Sequence, residues 1–276
     1  EVVLFQPTYD AYLPLVLRAG GVPRFVNLKP PNWTFDREDL ERVFSDRTKA
    51  VLFNSPLNPC ATIFSRSQHI LLAEFCKRFD AIAICDEVWE HIVFDGLEHT
   101  TMISIEGMRD RTIKIGSAGK IFSLTGWKVG FVVAPSPLLA IVAKAHQFLT
   151  FTTAPNLQSA VAFGLMKDLN YFVEMRARFA ESRDYFSEGL RDCGFNVRHS
   201  QATYFVNVDI SDFNISDTDF TQRLVREFGV AAIPISAFYA GNNPDSATVR
   251  FCFAKKRETL DAGLDRLRAA ARAMRI

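Results

Sequence analysis

The chain has 276 residues, 48% of them hydrophobic and 23% charged, which is enough apolar content for one large domain or two ordinary ones. Lys and Arg number 32 against 31 Asp and Glu, a net charge of +1. With that balance and no basic tract, neither nucleic acid nor an anionic membrane is an expected partner.

In chain order, Val2–Phe5, Arg24–Val26, Ala50–Phe53, Ala81–Cys85, Thr112–Ile115 and Val129–Ala134 are apolar, partly β-branched runs that predict strands. Ala11–Gly20, Arg37–Phe44, Ser65–Phe79 and Pro137–Leu149 lie between or after them and predict helices. Strand–helix alternation predicts an α/β unit with a mostly parallel sheet flanked by helices. Asn156–Gly194 is long, charged and nearly free of Gly and Pro, and predicts one or two long helices. Phe195–Val197, Thr203–Val208, Val230–Ile233 and Thr248–Phe253 then predict strands, and Thr218–Glu227 and Arg257–Arg275 helices. The expected division is a large unit over 1–165 and a smaller α+β unit over 166–276, with the long helix as hinge.

No apolar run reaches the roughly 18 residues a spanning helix needs. Cys60, Cys76, Cys85, Cys193 and Cys252 are odd in number, scattered and without a CxxC pair, which favours reduced thiols and a cytoplasmic setting. The histidines lack metal-ligand spacing, so no structural zinc is expected. The chain opens on Glu1 and directly on a strand-like run, so a further segment ahead of it is expected.

Ligands of parallel α/β sheets bind beyond the carboxyl ends of the strands. Three polar groups come directly after strands: Asn54 to Asn58, Asp86, and Ser117 to Lys120. Lys120 sits among small residues between two buried strands. Burial lowers a lysine's pKa and frees its amine for Schiff-base chemistry; the alternative is a structural lysine that snorkels or pairs with an acid. Asp86, at the mouth of a buried strand, either caps the next helix or faces a cationic ring nitrogen. Glu87 is expected to meet solvent or a structural partner. Asn58-Pro59 reads alone as a turn, and Tyr9 as a core aromatic. Arg250 lies within an apolar strand and cannot lose its charge, so it needs an internal acid or a ligand carboxylate.

Six segments, in order over nearly the whole chain, carry a resemblance: Pro7-Thr8-Tyr9-Asp10-Ala11-Tyr12, Asn58-Pro59, Cys85-Asp86-Glu87-Val88-Trp89, Ser117-Ala118-Gly119-Lys120, Thr125-Gly126-Trp127-Lys128-Val129-Gly130 and Val249-Arg250-Phe251. Together they closely resemble the class I aminotransferases of fold type I, which use pyridoxal 5'-phosphate. The strings around Lys120 look most like the branch of kynurenine, glutamine and methionine aminotransferases and cysteine-conjugate β-lyases. The resemblance implies that Lys120 carries the cofactor covalently and then moves a proton, and that Asp86 keeps the pyridine nitrogen protonated. It further implies that Asn58 donates to the ring's 3′ oxygen, Tyr9 stacks on the ring, Ser117 and Lys128 bind the phosphate, and Arg250 grips the substrate carboxylate.

Four departures stand out. Trp89 replaces a tyrosine whose hydroxyl would join Asn58 at the 3′ oxygen. Lys128 stands where arginine is frequent. Cys60-Ala61 comes after Asn58-Pro59 where Thr-Gly or Leu-Gly is usual, and Ala202 stands where Gly is common; both cost little unless φ is positive. Relatives also extend roughly a hundred residues further at the N-terminus. That part would carry a glycine-containing phosphate loop, an aromatic reaching into a partner's site, and part of the small domain.

The implied function is transfer of an amino group from an α-amino acid to a 2-oxo acid by a homodimer with shared sites. His146–Gln158, the stretch expected to reach the neighbouring site, contains no Arg or Lys. A second arginine for a dicarboxylic side chain is therefore not evident, and a neutral or aromatic donor is expected. β-Elimination from cysteine conjugates is an alternative with the same first steps. A non-catalytic module on the same fold is a third; the presence of Lys120, Asp86 and Arg250 weighs against it.

Overall fold

The computed structural model describes residues 1–241 and 247–275. Two sheets organise the chain. The first runs in the order β2-β1-β3-β4-β5-β6 and is built from β1 (Val2–Gln6), β2 (Pro23–Asn27), β3 (Ala50–Asn54), β4 (Ile82–Asp86), β5 (Thr112–Ser117) and β6 (Gly130–Val133). β1 to β5 are parallel to their neighbours, and β6 alone is antiparallel, to β5. This is the mostly parallel α/β sheet that the apolar runs predict, with boundaries shifted by one or two residues. Gly116 faces Phe131 across the β5–β6 pair. A Cβ there would fall 2.2 Å from the Phe131 ring, so the pairing leaves no room for one.

Helices α1 (Tyr12–Arg18), α2 (Arg37–Glu41), α3 (Arg66–Arg78), α4 (Ala118–Ile121) and α5 (Ser136–Leu149) come after strands of this sheet. α3 starts at a capping box, Ser65 bonding the amide of Gln68 and Gln68 that of Ser65. Beneath it lies a core that includes Phe5, Phe35, Phe53, Phe64 and Phe75.

The long charged stretch resolves into α6 (Pro155–Leu165) and α7 (Leu169–Asp192), broken at Asp168, which caps α7 by accepting from the amide of Asn170. A second, antiparallel sheet has the order β7-β8-β10-β9: β7 (Asn196–Val197), β8 (Phe205–Asp209), β9 (Ile233–Pro234) and β10 (Thr248–Cys252). α8 (Asp217–Phe228) and α9 (Arg257–Met274) accompany it. Its core includes Val206, Val208, Phe220, Leu264 and Leu267, and continues into the first half of the chain through Trp89, Ile92, Phe94 and Ile121.

The two sheets are also stitched by backbone. Gln201 and Ala202 donate to the carbonyl of Ala61, Phe94 donates to Gln201, and Thr203 donates to Ile92. The stitch asks for left-handed backbone at Ala61 (φ 59°) and Thr203 (φ 70°). Ala61 thus meets the condition under which a missing glycine costs stability, whereas at the second site the strain falls on Thr203 rather than Ala202.

Candidate active site

Parallel strands in register bring their carboxyl ends to one edge. Asn54 ends β3, Asp86 ends β4 directly opposite it, and Ser117 ends β5. The first two are joined: the Asn54 side chain donates to the Asp86 carbonyl at 2.9 Å and accepts from the Asn58 amide at 2.8 Å. One amide thereby fixes the turn that carries Asn58 against the strand that carries Asp86.

Asp86 is only partly exposed, and each carboxylate oxygen has a donor: the Val88 amide at 3.2 Å on Oδ1 and the Tyr12 hydroxyl on Oδ2. Burial pushes its pKa up, and the two donors and the nearby Lys120 charge offset only part of that rise. The Tyr12 phenol is held well above its ordinary value by burial and by Asp86, so it stays a donor. Tyr9 packs edge-on against Tyr12 with ring centroids 5.5 Å apart, and at 42% exposure it faces the open side of this group.

Glu87, 2% exposed, turns the other way. Its carboxylate accepts from the Thr101 hydroxyl and the Met102 amide, both at 3.0 Å, and meets His99 Nε2 at 2.9 Å and Lys114 Nζ at 3.3 Å. Lys114 also donates to Glu90. Burial would raise the Glu87 pKa, but the His99 bond and the charges of His99 and Lys114 win, leaving it below the ordinary value. Glu87, Glu90 and His99 are close enough to share a cation; the Lys114 ammonium already fills that role. Of the two partners open to Glu87, the structural one is realised.

Lys120 lies in the short α4, straight after β5, with Ser117 at its N-cap position. The backbone packs so closely there that a Cβ on Gly119 would sit 3.1 Å from Thr125 Cα. The amine donates to the Tyr204 hydroxyl at 3.3 Å and lies 4.8 Å from the Trp89 ring centroid and 5.6 Å from that of Tyr204. Burial lowers its pKa; Asp86 opposes the shift and Lys128 adds to it. Lys128 is exposed, in left-handed backbone (φ 56°) between the turn Thr125–Trp127 and β6. Trp89, 2% exposed, packs edge-on to Tyr204 and Phe205 and offers Lys120 a ring face instead of an oxygen.

Arg250 reaches across from β10 and donates through Nη1 to Asn58 Oδ1. Its guanidinium lies 4.0 Å from the Phe205 ring and 4.9 Å from that of Phe238. Two aromatic faces hold the planar fork without neutralising it, as a site for an incoming carboxylate requires.

The predicted residues therefore form one connected group: Tyr9 to Tyr12 to Asp86, through Asn54 to Asn58 and Arg250, with Lys120 near Asp86 and Lys128. Sequence reasoning assigned no role to Tyr12, Tyr204, Phe205 or Phe238. Tyr12 does lie within the first recognised string and Tyr204 two residues after the departure at Ala202, and that proximity is the available signal. Chemically the group offers a deprotonatable amine, a partly buried carboxylate near it, and a guanidinium clamp. This is the equipment for binding an amino or oxo acid and moving a proton at its α-carbon.

The family model for aminotransferase class I and II matches residues 1–267. Methionine aminotransferase of Escherichia coli is 36% identical over 269 residues, covering 97% of this chain and 69% of that protein. Kynurenine–oxoglutarate transaminase 1 of Rattus norvegicus is 35% identical, over 97% of this chain and 71% of its own. The structure of N-succinyldiaminopimelate aminotransferase from Mycobacterium tuberculosis superposes with a TM-score of 0.94 at 37% identity, covering 98% of this chain and 71% of that one. The strand-mouth group of Asn58, Asp86 and Lys120 thus sits in a chain that belongs to the aminotransferase class I and II family.

Proposed function

We propose that this chain binds pyridoxal 5'-phosphate through Lys120 and transfers the amino group of a neutral or aromatic L-amino acid to a 2-oxo acid. The observation that carries the reading is the pair formed by Lys120 and Asp86. An amine with a lowered pKa and a partly buried carboxylate with a raised one lie at the mouths of adjacent strands. The donor set fits the cofactor: Asp86 oxygens, one shared with Tyr12, can accept a ring N–H, and Asn58 keeps its amide N–H₂ for a ring oxygen while its Oδ1 holds Arg250. Tyr9 is exposed where a ring face can stack, and Ser117 and Lys128 flank Lys120 as phosphate ligands.

When bound, the cofactor supplies an electron sink for the bond broken at the substrate's α-carbon. The chain's own groups do the rest. Lys120 Nζ takes and returns the proton. Asp86, anchored by Tyr12 and Val88, keeps the ring nitrogen charged. Arg250 orients the carboxylate, and Phe205 and Phe238 keep water from the back of its fork.

We further infer that the chain acts as a homodimer, and that it divides near residue 165 as the two sheets suggest. Phe148 is 87% and Phe151 77% exposed at the end of α5, an apolar surface suited to a second copy. A cytoplasmic setting fits as well: among the described residues no helix is long and apolar enough to cross a membrane.

The test is spectroscopic. The protein should take up the cofactor, show a coloured band that shifts on adding an amino acid, and after borohydride treatment carry the label on Lys120; Lys120→Ala should not. Comparing kcat/KM for methionine, glutamine, phenylalanine and kynurenine against aspartate tests the donor class, which a strong aspartate preference would overturn. Pyruvate and ammonia released from a cysteine conjugate without any 2-oxo acid would instead favour the lyase.

A further inference from the structure

We propose that Tyr204 is a positioning residue for the reacting amine: its phenol oxygen, delivered from the residue just ahead of β8, orients Lys120 Nζ. The inference rests on Lys120 being the reactive amine.

Around Lys120 Nζ the two aromatic neighbours differ in kind. Trp89 presents an indole, which has one donor and no acceptor. Tyr204 presents an oxygen, and at 3.3 Å it accepts from the amine. The phenol is well fixed. Its ring lies edge-on to Trp89 at 4.5 Å and 89°, and edge-on to Phe205 at 4.7 Å. Its carbonyl accepts from the Phe253 amide at 3.0 Å, and the preceding Thr203 is pinned to Ile92. Four aromatic or backbone contacts thus hold one oxygen against one amine, where a solvated lysine would sample many rotamers.

The role open to Tyr204 is that of an acceptor. Burial pushes its pKa up to about 12, so near neutrality the phenol keeps its proton and cannot serve as the base. As an acceptor it favours the ammonium form of Lys120 and aims the remaining N–H bonds. The other titratable groups that act on that amine are Asp86, Lys128, Cys252 and Arg250, and Tyr204→Phe leaves all of them in place. Loss of one hydrogen bond to a cation should lower the Lys120 pKa by about one unit.

The experiment compares the parent with Tyr204→Phe, which keeps the ring and its edge contacts; an unchanged near-ultraviolet circular dichroism spectrum certifies the fold. In cofactor-free protein, the rate of reductive methylation at Lys120, tracked by peptide mapping across pH, should titrate about one unit lower in the variant. In the holoenzyme, kcat should fall roughly tenfold with KM for the amino acid nearly unchanged, because Arg250 is untouched. A Lys120 titration that stays put or moves upward, or a loss confined to KM, overturns the inference. If instead the parent itself fails to attach cofactor at Lys120, the proposed function fails, while the methylation result still reports on the Tyr204–Lys120 contact.

Discussion

Tyr12→Phe is the sharpest probe of the cofactor reading, because it deletes one oxygen and little else. The Tyr12 ring is buried against Leu4 and Val16, and phenylalanine fills that space. The donor on Asp86 Oδ2 disappears, leaving Oδ1 with the Val88 amide. A hydrogen bond to an ionised carboxylate contributes about 1.5–3 kcal/mol, and the lower end applies because Asp86 is partly exposed and water can replace the phenol. About 1.4 kcal/mol corresponds to one further unit of upward shift in the Asp86 pKa. The sign is definite. Asp86 already titrates above its ordinary 3.8 because it is buried, and losing a donor that favours the anion moves it higher. The variant should therefore bind the cofactor almost as well as the parent at pH values well above the raised Asp86 pKa, with a deficit that grows to about tenfold as pH falls through it. Titrating the coloured band at several pH values measures both effects. An unchanged Kd with an unchanged pH profile would refute the claim that Asp86, held by Tyr12, faces the ring nitrogen.

The same geometry makes three further outcomes testable. Arg250→Lys keeps the charge but loses the fork, so kcat/KM should drop by about one to two orders of magnitude, mainly through KM; steady-state kinetics checks it, and a change confined to kcat would contradict a binding role. Glu87→Ala strips His99 and Lys114 of their buried partner and should cost about 3–5 kcal/mol in urea unfolding near neutral pH. Because the folded Glu87 pKa lies below its ordinary 4.5, its stabilisation is fully present above that value and fades as pH falls through the folded pKa, so the gap between variant and parent should narrow in acid. Replacing Phe148 and Phe151 together by Asp should turn a dimer into a monomer in sedimentation velocity; a variant that remains dimeric would remove that surface from the interface.

The first five strands were legible because each is a short, largely apolar run that ends in a polar residue, and parallel register carries those endings to one edge. Asn54, Asp86 and Ser117 could be placed together on that logic alone, and the structure puts them at adjacent strand ends. The short α4 around Lys120 has too few residues to show a helical period, so its helicity was not legible. Nor was the reversal of β6. Its run is as apolar as its parallel neighbours, and direction is set by the tight return through Thr125–Trp127 and Lys128 rather than by strand composition.

The contacts that tune the site were the least legible, for a reason that also bears on Trp89. Tyr12 and Asp86 are 74 residues apart, Lys120 and Tyr204 84, and Asn58 and Arg250 192. Hydrophobic period and turn chemistry act over a few residues and carry no information at those separations. A single substitution read in sequence therefore looks like a loss, as Trp89 does where a phenol is expected. In the fold the same position packs an indole against Tyr204 and leaves that residue's oxygen on the amine. If Tyr204 supplies the acceptor, the two positions should be coupled. Trp89→Tyr should be milder in the presence of Tyr204 than the loss of Tyr204 itself, and a double-mutant cycle on the Lys120 titration should show a non-additive term of the order expected for residues in contact, about 0.5–3 kcal/mol. Strict additivity would mean that indole and phenol act on the amine independently, and that the departure at 89 is a packing change alone.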